Sequence, residues 1–180
     1  MKEIKSKQIF MVVFAIGFVL GILYLNLLAV DYLSVTGVFN SYYLGEFQEL
    51  ELDQKAYWVY LAKVRIIPLI FIVIFMYSQL RRVSVIGYFL WIGFLFGIYM
   101  SMGILQMGGS GILICIVGIL PQMLFYIPAY LIVLFLSFDY PQSHWTAYKI
   151  IMIILLMFSG IIMELQINPI LLKGVIKMCL

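Results

Sequence analysis

The chain has 180 residues, of which 66% are hydrophobic and 11% are charged, and its mean hydropathy is +1.15. Soluble domains carry about 25% charged residues, so the composition excludes a soluble globular protein and predicts one all-α integral membrane domain over 1–180, a bundle of about five transmembrane helices. The net charge of +3 is small and dispersed, which argues against nucleic-acid binding.

The first predicted span, 9–30, follows three lysines at the start of the chain, Lys2, Lys5 and Lys7. This apolar run is too long for a signal peptide and no small-residue cleavage site follows it, so we interpret it as a retained helix. It carries Gly17 and Gly21, a spacing that lets a neighbouring backbone approach closely. We expect a packing interface there, although glycine is also common in membrane helices without such a role.

The segment 31–62 is the only extended polar region of the sequence. Its acidic residues are Asp31, Glu46, Glu49, Glu51 and Asp53. Its second half mixes acids with aromatic residues, which is typical of an amphipathic helix on the membrane surface with its rings at headgroup depth. An ordinary loop with an aromatic belt is the alternative.

Two further spans are predicted over 64–80 and 85–107. The apolar part of the first is short, so it is expected to begin earlier and to bring Lys63 and Arg65 near the headgroups, where their charges can reach water. The second contains another GxxxG pair, Gly93 and Gly97. A glycine cluster then predicts a tight turn, formed by Gly108, Gly109 and Gly111.

The fourth span, 110–138, is predicted to be a kinked inner helix around which the others pack. Pro121 and Pro128 are seven residues apart and therefore lie on nearly the same face, which suits a bend toward one side. Gln122 and Tyr126 are four apart on a shared face, and one or the other is expected to satisfy the backbone carbonyl that Pro121 frees one turn earlier. A substrate path along this polar pair is the alternative.

The fifth span is predicted over 148–165, and the remainder, 168–180, is predicted to be a short interfacial helix. Lys173 and Lys177 share one face of that tail. A cytoplasmic N-terminus places six basic residues inside and five outside, a weak bias that favours this orientation.

Charged side chains at membrane depth are costly and therefore mark candidate sites. Glu164 lies near the outer end of the fifth span, at a depth similar to Arg65 and to Asp31. We predict that Glu164 pairs with Arg65 or Lys63 and ties the fifth helix to the second. The alternative is that Glu164 points into the outer headgroups.

The sequence contains no recognisable catalytic or metal-binding motif: HExxH, GxSxG and the P-loop are all missing. His144 is a single loop histidine. Cys115 and Cys179 suggest neither a disulfide nor a metal site. We therefore expect no enzyme activity, no metal and no cofactor.

Three stretches resemble the stage II sporulation protein M family. They are Phe14–Gly21 in the first span, Gly118–Ala129 in the fourth, and Ile161–Leu172 at the end of the fifth. Glu164 and Pro169 fit the family pattern. Gln122 stands where many members have His, and Tyr126 where many have Glu, so a role that needs those ionisable groups does not transfer.

The resemblance implies a multi-pass protein of the bacterial cytoplasmic membrane in endospore formers. Members of that family help to assemble and localise peptidoglycan-degrading partners during forespore engulfment, and those membrane-anchored hydrolases carry the activity. The expected function is thus a non-catalytic scaffold in the lipid bilayer, with homo-oligomerisation possible. A small transporter, or the permease subunit of an export complex, is the alternative, since helices broken by proline and glycine are typical of transporters.

Overall fold

A computed structural model describes residues 2–29, 39, 41–49, 53–142 and 144–179, with the side chains of 2–7, 29 and 41 left aside. The described residues form seven α-helices and two π-helical turns, and no strand occurs among them. In chain order these are α1 (Lys2–Tyr24), the first π turn (Leu25–Ala29), α2 (Ser41–Glu49), α3 (Gln54–Met76), α4 (Arg81–Met107), α5 (Gly109–Phe138), α6 (Ala147–Ile162), the second π turn (Met163–Ile167) and α7 (Asn168–Cys179).

Among the residues that the structure describes, five stretches are long and apolar enough to cross a membrane. They are Gln8–Leu28, Gln54–Met76, Arg81–Met107, Gly109–Phe138 and Ala147–Cys179. Each exceeds the roughly 20 residues that a bilayer core of about 30 Å requires. The prediction of an all-α, multi-pass membrane protein is confirmed.

The segment predicted to lie on the membrane surface contributes to two elements. Its middle forms α2, a short helix of nine residues, and its end is already part of α3. Helix α3 begins at Gln54, ten residues before the predicted 64, because the carboxylate of Asp53 accepts a hydrogen bond from the Lys55 backbone N–H, 3.0 Å away, and caps the helix. The position predicted for Asp31 lies outside the described residues.

The last span also differs from the prediction, which ended it at 165 and set off an interfacial tail from 168. The helix instead continues to Cys179 through the second π turn. Pro169 does not stop the span, because the π turn shifts the backbone bonding just before it, and such local adjustments accommodate a proline inside a membrane helix.

Helix α5 contains both predicted prolines, Pro121 and Pro128, and runs for 30 residues. In its most apolar window 28% of the residues are buried, the same share as in Ala147–Cys179, against 17% in each of the other three spans. These two spans therefore have the larger buried share.

The contacts of the chain group into two compact units. The first comprises Met1–Glu49, Ile86–Ile116 and Ile176–Leu180, and the second Leu50–Val85 and Val117–Val175. In the first unit α1 and α4 run parallel, since contacts advance along both helices together: Gly17 faces Leu90 and Gly21 faces Phe94.

Four glycines make that approach possible, and they are the two predicted pairs, Gly17, Gly21, Gly93 and Gly97. A Cβ atom at any of them would collide with a backbone carbonyl of the opposite helix. The packing interface expected at the first pair is confirmed, and its partner is the second pair.

The turn between α4 and α5 is made by Gly108. Its φ of +59° is left-handed, a conformation that costs glycine little because it has no Cβ. The tight turn predicted at the glycine cluster is therefore present.

Candidate functional site

The second unit contains an ion pair between Arg65 of α3 and Glu164 of the second π turn. Arg65 Nε donates to Glu164 Oε2 at 3.0 Å, and Arg65 Nη2 donates to Glu164 Oε1. Both carboxylate oxygens are engaged, so the contact is two-pronged, the geometry that a planar guanidinium favours. The side chain of Glu164 is 8% exposed and that of Arg65 25%. The predicted pair is therefore present with Arg65, while Lys63, the alternative partner, is exposed.

Tyr126 of α5 contacts both members of the pair. Its hydroxyl donates to Glu164 Oε2 at 2.8 Å, and its ring lies beneath the guanidinium of Arg65, with Cζ 4.8 Å from the ring centroid. A cation over an aromatic face and a hydrogen bond to a carboxylate are both favourable away from water. Of the two residues predicted as alternatives to serve a released backbone carbonyl, Tyr126 does not do so, because its hydroxyl donates to the side chain of Glu164.

A second tyrosine joins α5 to α3 one turn further along. The hydroxyl of Tyr130 donates to the backbone carbonyl of Arg65. Tyr126 and Tyr130 are four residues apart and therefore lie on the same face of α5. Arg65 is thus held by its side chain and by its backbone.

Gly160 of α6 makes room for the ring of Tyr126. A Cβ atom at this glycine would come within 2.5 Å of a ring carbon, closer than real Cβ atoms approach other atoms. The absence of a side chain at Gly160 therefore allows Tyr126 to reach Glu164, which lies one turn after Gly160 on the same span.

Gln122 and Asn168 form a second polar contact between α5 and α7. The side-chain nitrogens of both donate to the carbonyl oxygen of Gly118, that of Asn168 at 3.1 Å. Pro121 has no N–H and disturbs the hydrogen-bond ladder of α5 at this turn. Gln122 bonds to the carbonyl of Gly118, whereas the carbonyl that Pro121 leaves without its regular donor is that of Val117. The acceptor predicted for this polar pair is therefore wrong.

Four of the candidate residues chosen from the sequence take part in the two groups of contacts: Arg65, Tyr126 and Glu164 in one, and Gln122 in the other. Arg65, Tyr126 and Glu164 form the charged cluster. The others lie on the same helices: Gln122 follows Pro121, Pro128 lies between the two tyrosines of α5, and Pro169 follows Asn168.

Sequence analysis missed Tyr130, Gly160 and Asn168. A signal was available for two of them, because Tyr130 lies four residues after Tyr126, and Asn168 four after Glu164. A one-turn spacing between polar residues in an apolar helix indicates a shared polar face. Gly160 has no such signal, since nothing local marks which ring it accommodates.

The arrangement neutralises a buried charge and joins three helices, α3, α5 and the span that contains α6. Removing either charged partner would leave an uncompensated ion in a dry environment, whereas the intact pair has a formal charge of zero. In the described part of the chain, no three His, Cys, Asp or Glu side chains lie close enough to hold a metal ion. No family model, no curated protein and no solved structure matches the chain.

Proposed function

We propose that the protein is a non-catalytic membrane scaffold, akin to the stage II sporulation protein M family, that anchors or localises peptidoglycan-remodelling partners during forespore engulfment. The proposal rests on the resemblance in three stretches of the sequence and on what the residues of two of those stretches do in the second unit.

One observation carries the proposal furthest. Gly118–Ala129 and Ile161–Leu172, both chosen for their resemblance, are bonded to each other twice: Tyr126 donates to Glu164, and Asn168 donates to Gly118. Motif residues that bond to each other and to Arg65 stabilise a fixed helix arrangement. A fixed arrangement suits a scaffold, which must present a constant surface to its partners.

The same proposal places the protein in the bacterial cytoplasmic membrane with its N-terminus in the cytoplasm. With five spans, the loop at Gln142 then faces the cytoplasm and the start of α3 at Lys55 faces the outside. Single cysteines at Lys55 and Gln142, with Cys115 and Cys179 replaced by serine, should react with a membrane-impermeant maleimide in intact cells only at 55. Labelling at 142 alone would show that the protein has the opposite orientation in the membrane.

Deletion of the gene from its own host tests the function. Sporulating cells should arrest with a flat or incompletely curved septum, and fluorescent fusions of the forespore wall hydrolases should disperse along the membrane. The matched control for the helix arrangement is the double variant, Arg65→Leu with Glu164→Leu. It serves as a control on condition that it inserts and accumulates at the normal level. Normal engulfment in the deletion strain would refute the scaffold role.

A permease subunit is the second candidate, favoured by a specific observation. Helix α5 contains Pro121, the last span contains a π turn followed by Pro169, and these two irregular stretches are joined by the bond from Asn168 to Gly118. Interrupted helices that face each other are typical of transport sites. Purification of the tagged protein after crosslinking in sporulating cells separates the two candidates, because a scaffold should bring down wall hydrolases and a permease subunit an ATPase.

A further inference from the structure

The bonds that Gln122 and Asn168 donate to Gly118 leave one acceptor atom of each side chain without a partner. Gln122 Oε1 and Asn168 Oδ1 are buried and unbonded, although the side chains are only 2% and 7% exposed. Buried polar atoms in proteins are nearly always paired, and an unpaired one costs about 1–3 kcal/mol. Two such atoms on adjoining side chains therefore indicate that something else binds there.

The orientation of the two amides is set by their surroundings. Each side-chain nitrogen lies on the carbonyl oxygen of Gly118, which can only accept hydrogen bonds. Rotating either amide by half a turn would bring two oxygens together. The free atoms must accordingly be oxygens, so the occupant has to be a hydrogen-bond donor or a cation.

Backbone carbonyls add to this acceptor surplus on both helices. On α5, Pro121 supplies no N–H for the carbonyl of Val117, its usual acceptor. On the last span, the N–H of Asn168 donates to Met163, and Pro169 has none. The regular donors for the carbonyls of Glu164 and Leu165 are thereby removed.

The chemistry of the donors selects a monovalent cation. Neutral amide and carbonyl oxygens are hard ligands, which suit alkali ions better than thiophilic metals. The nearest carboxylate, Glu164, has both oxygens engaged by Arg65 and Tyr126 and so brings no uncompensated charge that a divalent ion would require. We propose that Gln122 and Asn168 form, with carbonyls released by Pro121 and Pro169, a binding site for one alkali cation, Na⁺ or K⁺.

This site goes beyond the scaffold role, and its test does not depend on that role. The protein in nanodiscs is unfolded by heat, followed by tryptophan fluorescence, in NaCl, KCl or choline chloride at equal ionic strength. An ion that binds the native state raises Tm with concentration. At ten times Kd we expect a rise of about 3–6 °C over choline for the preferred ion, levelling off logarithmically.

Two near-isosteric variants, Gln122→Met and Asn168→Leu, remove the acceptors while keeping side-chain volume. Gln166→Leu is the matched control, since Gln166 lies in the same π turn and is exposed. Both site variants should lose the ion-dependent shift, and the control should keep it. Equal Tm values in all three salts would overturn the proposal and leave an ordered water as occupant; so would an ion-dependent shift that persists in Gln122→Met.

A direct measurement of ion binding to the wild-type protein keeps the proposal testable if a variant folds poorly. Wild-type protein captured on scintillation beads is incubated with ²²Na⁺ and challenged with unlabelled NaCl or KCl. Saturable binding of about one ion per chain, displaced by the preferred unlabelled ion and at least tenfold weaker in Asn168→Leu, is expected. Non-saturable binding, or binding equal in wild type and variant, would overturn the site.

Discussion

The two units of the molecule hold their helices together in opposite ways. In the first unit, α1 and α4 approach backbone to backbone at four glycines, and aromatic rings of the two helices pack beside that contact. In the second, α3, α5 and the last span are joined by large polar side chains that meet around Glu164. Lipid tails are as apolar as leucine, so helices in a bilayer gain little from hydrophobic burial and associate by close packing or by hydrogen bonds. The glycine contact characterises the first unit and the charged cluster the second, and the first unit adds a polar bond from Asn26 to Ser101.

The two kinds of helix contact respond differently to substitution. A close-packed contact tolerates no added atom, yet each of its dispersion contacts is individually weak, about 0.1–0.2 kcal/mol. A polar cluster tolerates small shifts in shape, but each charged member depends on the others. Substitutions should therefore have larger single effects and stronger non-additivity in the second unit than in the first.

The ion pair should give the largest effect. Glu164→Leu or Arg65→Leu leaves one buried charge unpaired, which we expect to lower the free energy of unfolding by about 3–5 kcal/mol, whereas the double variant recovers most of that loss. Reversible unfolding in a mixed-detergent titration measures all three. Additive losses in the double variant would mean that the two side chains are not coupled. The same conclusion would follow if the exchanged pair, Arg65→Glu with Glu164→Arg, were no more stable than its single reversals.

Tyr126→Phe tests the third member of the cluster. It removes a hydrogen bond to a charged acceptor, worth about 1.5–3 kcal/mol, and keeps the ring beneath Arg65. The same titration applied to Tyr130→Phe, which removes a bond to a neutral carbonyl, is the control and should show a loss of about 0.5–1.5 kcal/mol. Equal losses at the two tyrosines would argue that the carboxylate of Glu164 is not the acceptor at Tyr126.

In the first unit, Gly97→Ala should force α1 and α4 apart at a loss of about 1–3 kcal/mol. Gly87→Ala is the matched control on the same helix, because a Cβ there meets no atom within 4 Å. Alanine at 87 should be neutral or stabilising by up to about 1 kcal/mol, since it favours the helix. The steric account fails if both glycines respond alike to alanine in the unfolding titration.

The smallest effect is expected at the polar contact of the first unit, where Asn26 donates to Ser101 Oγ at 3.0 Å. Such bonds between membrane helices average about 0.6 kcal/mol in double-mutant cycles. A cycle built from Asn26→Leu and Ser101→Ala should give a coupling energy of that size. A coupling as large as the one between Arg65 and Glu164 would remove the contrast between the two units.

Several elements could be predicted because their signals are local. The number of spans follows from how many apolar runs exceed the bilayer thickness, and the turn at Gly108 follows from a glycine cluster between two such runs. The ends of spans were less predictable. Helix α3 began ten residues early because Asp53 caps it, and α7 continued past Pro169, a residue that sequence reasoning treats as a stop.

The candidate site was partly predictable for a different reason. Few charged residues occur inside the spans, so Glu164 had few possible partners, and both Arg65 and Lys63 were considered. The choice between them depends on the direction in which each side chain leaves α3. Lys63 and Arg65 are two residues apart and leave α3 in different directions, and only the positions of the neighbouring helices decide which of them meets Glu164.

The sequence by itself determined the class of protein, the number of membrane helices and the residues capable of close or polar contact. These properties depend on composition and on spacing along one helix. The tertiary structure alone decided that the two glycine pairs face each other, that Tyr126 bonds to Glu164 rather than to the backbone, and that Gly160 leaves space for its ring. Such pairings join residues far apart in the chain, and they are set by which helix faces meet in three dimensions.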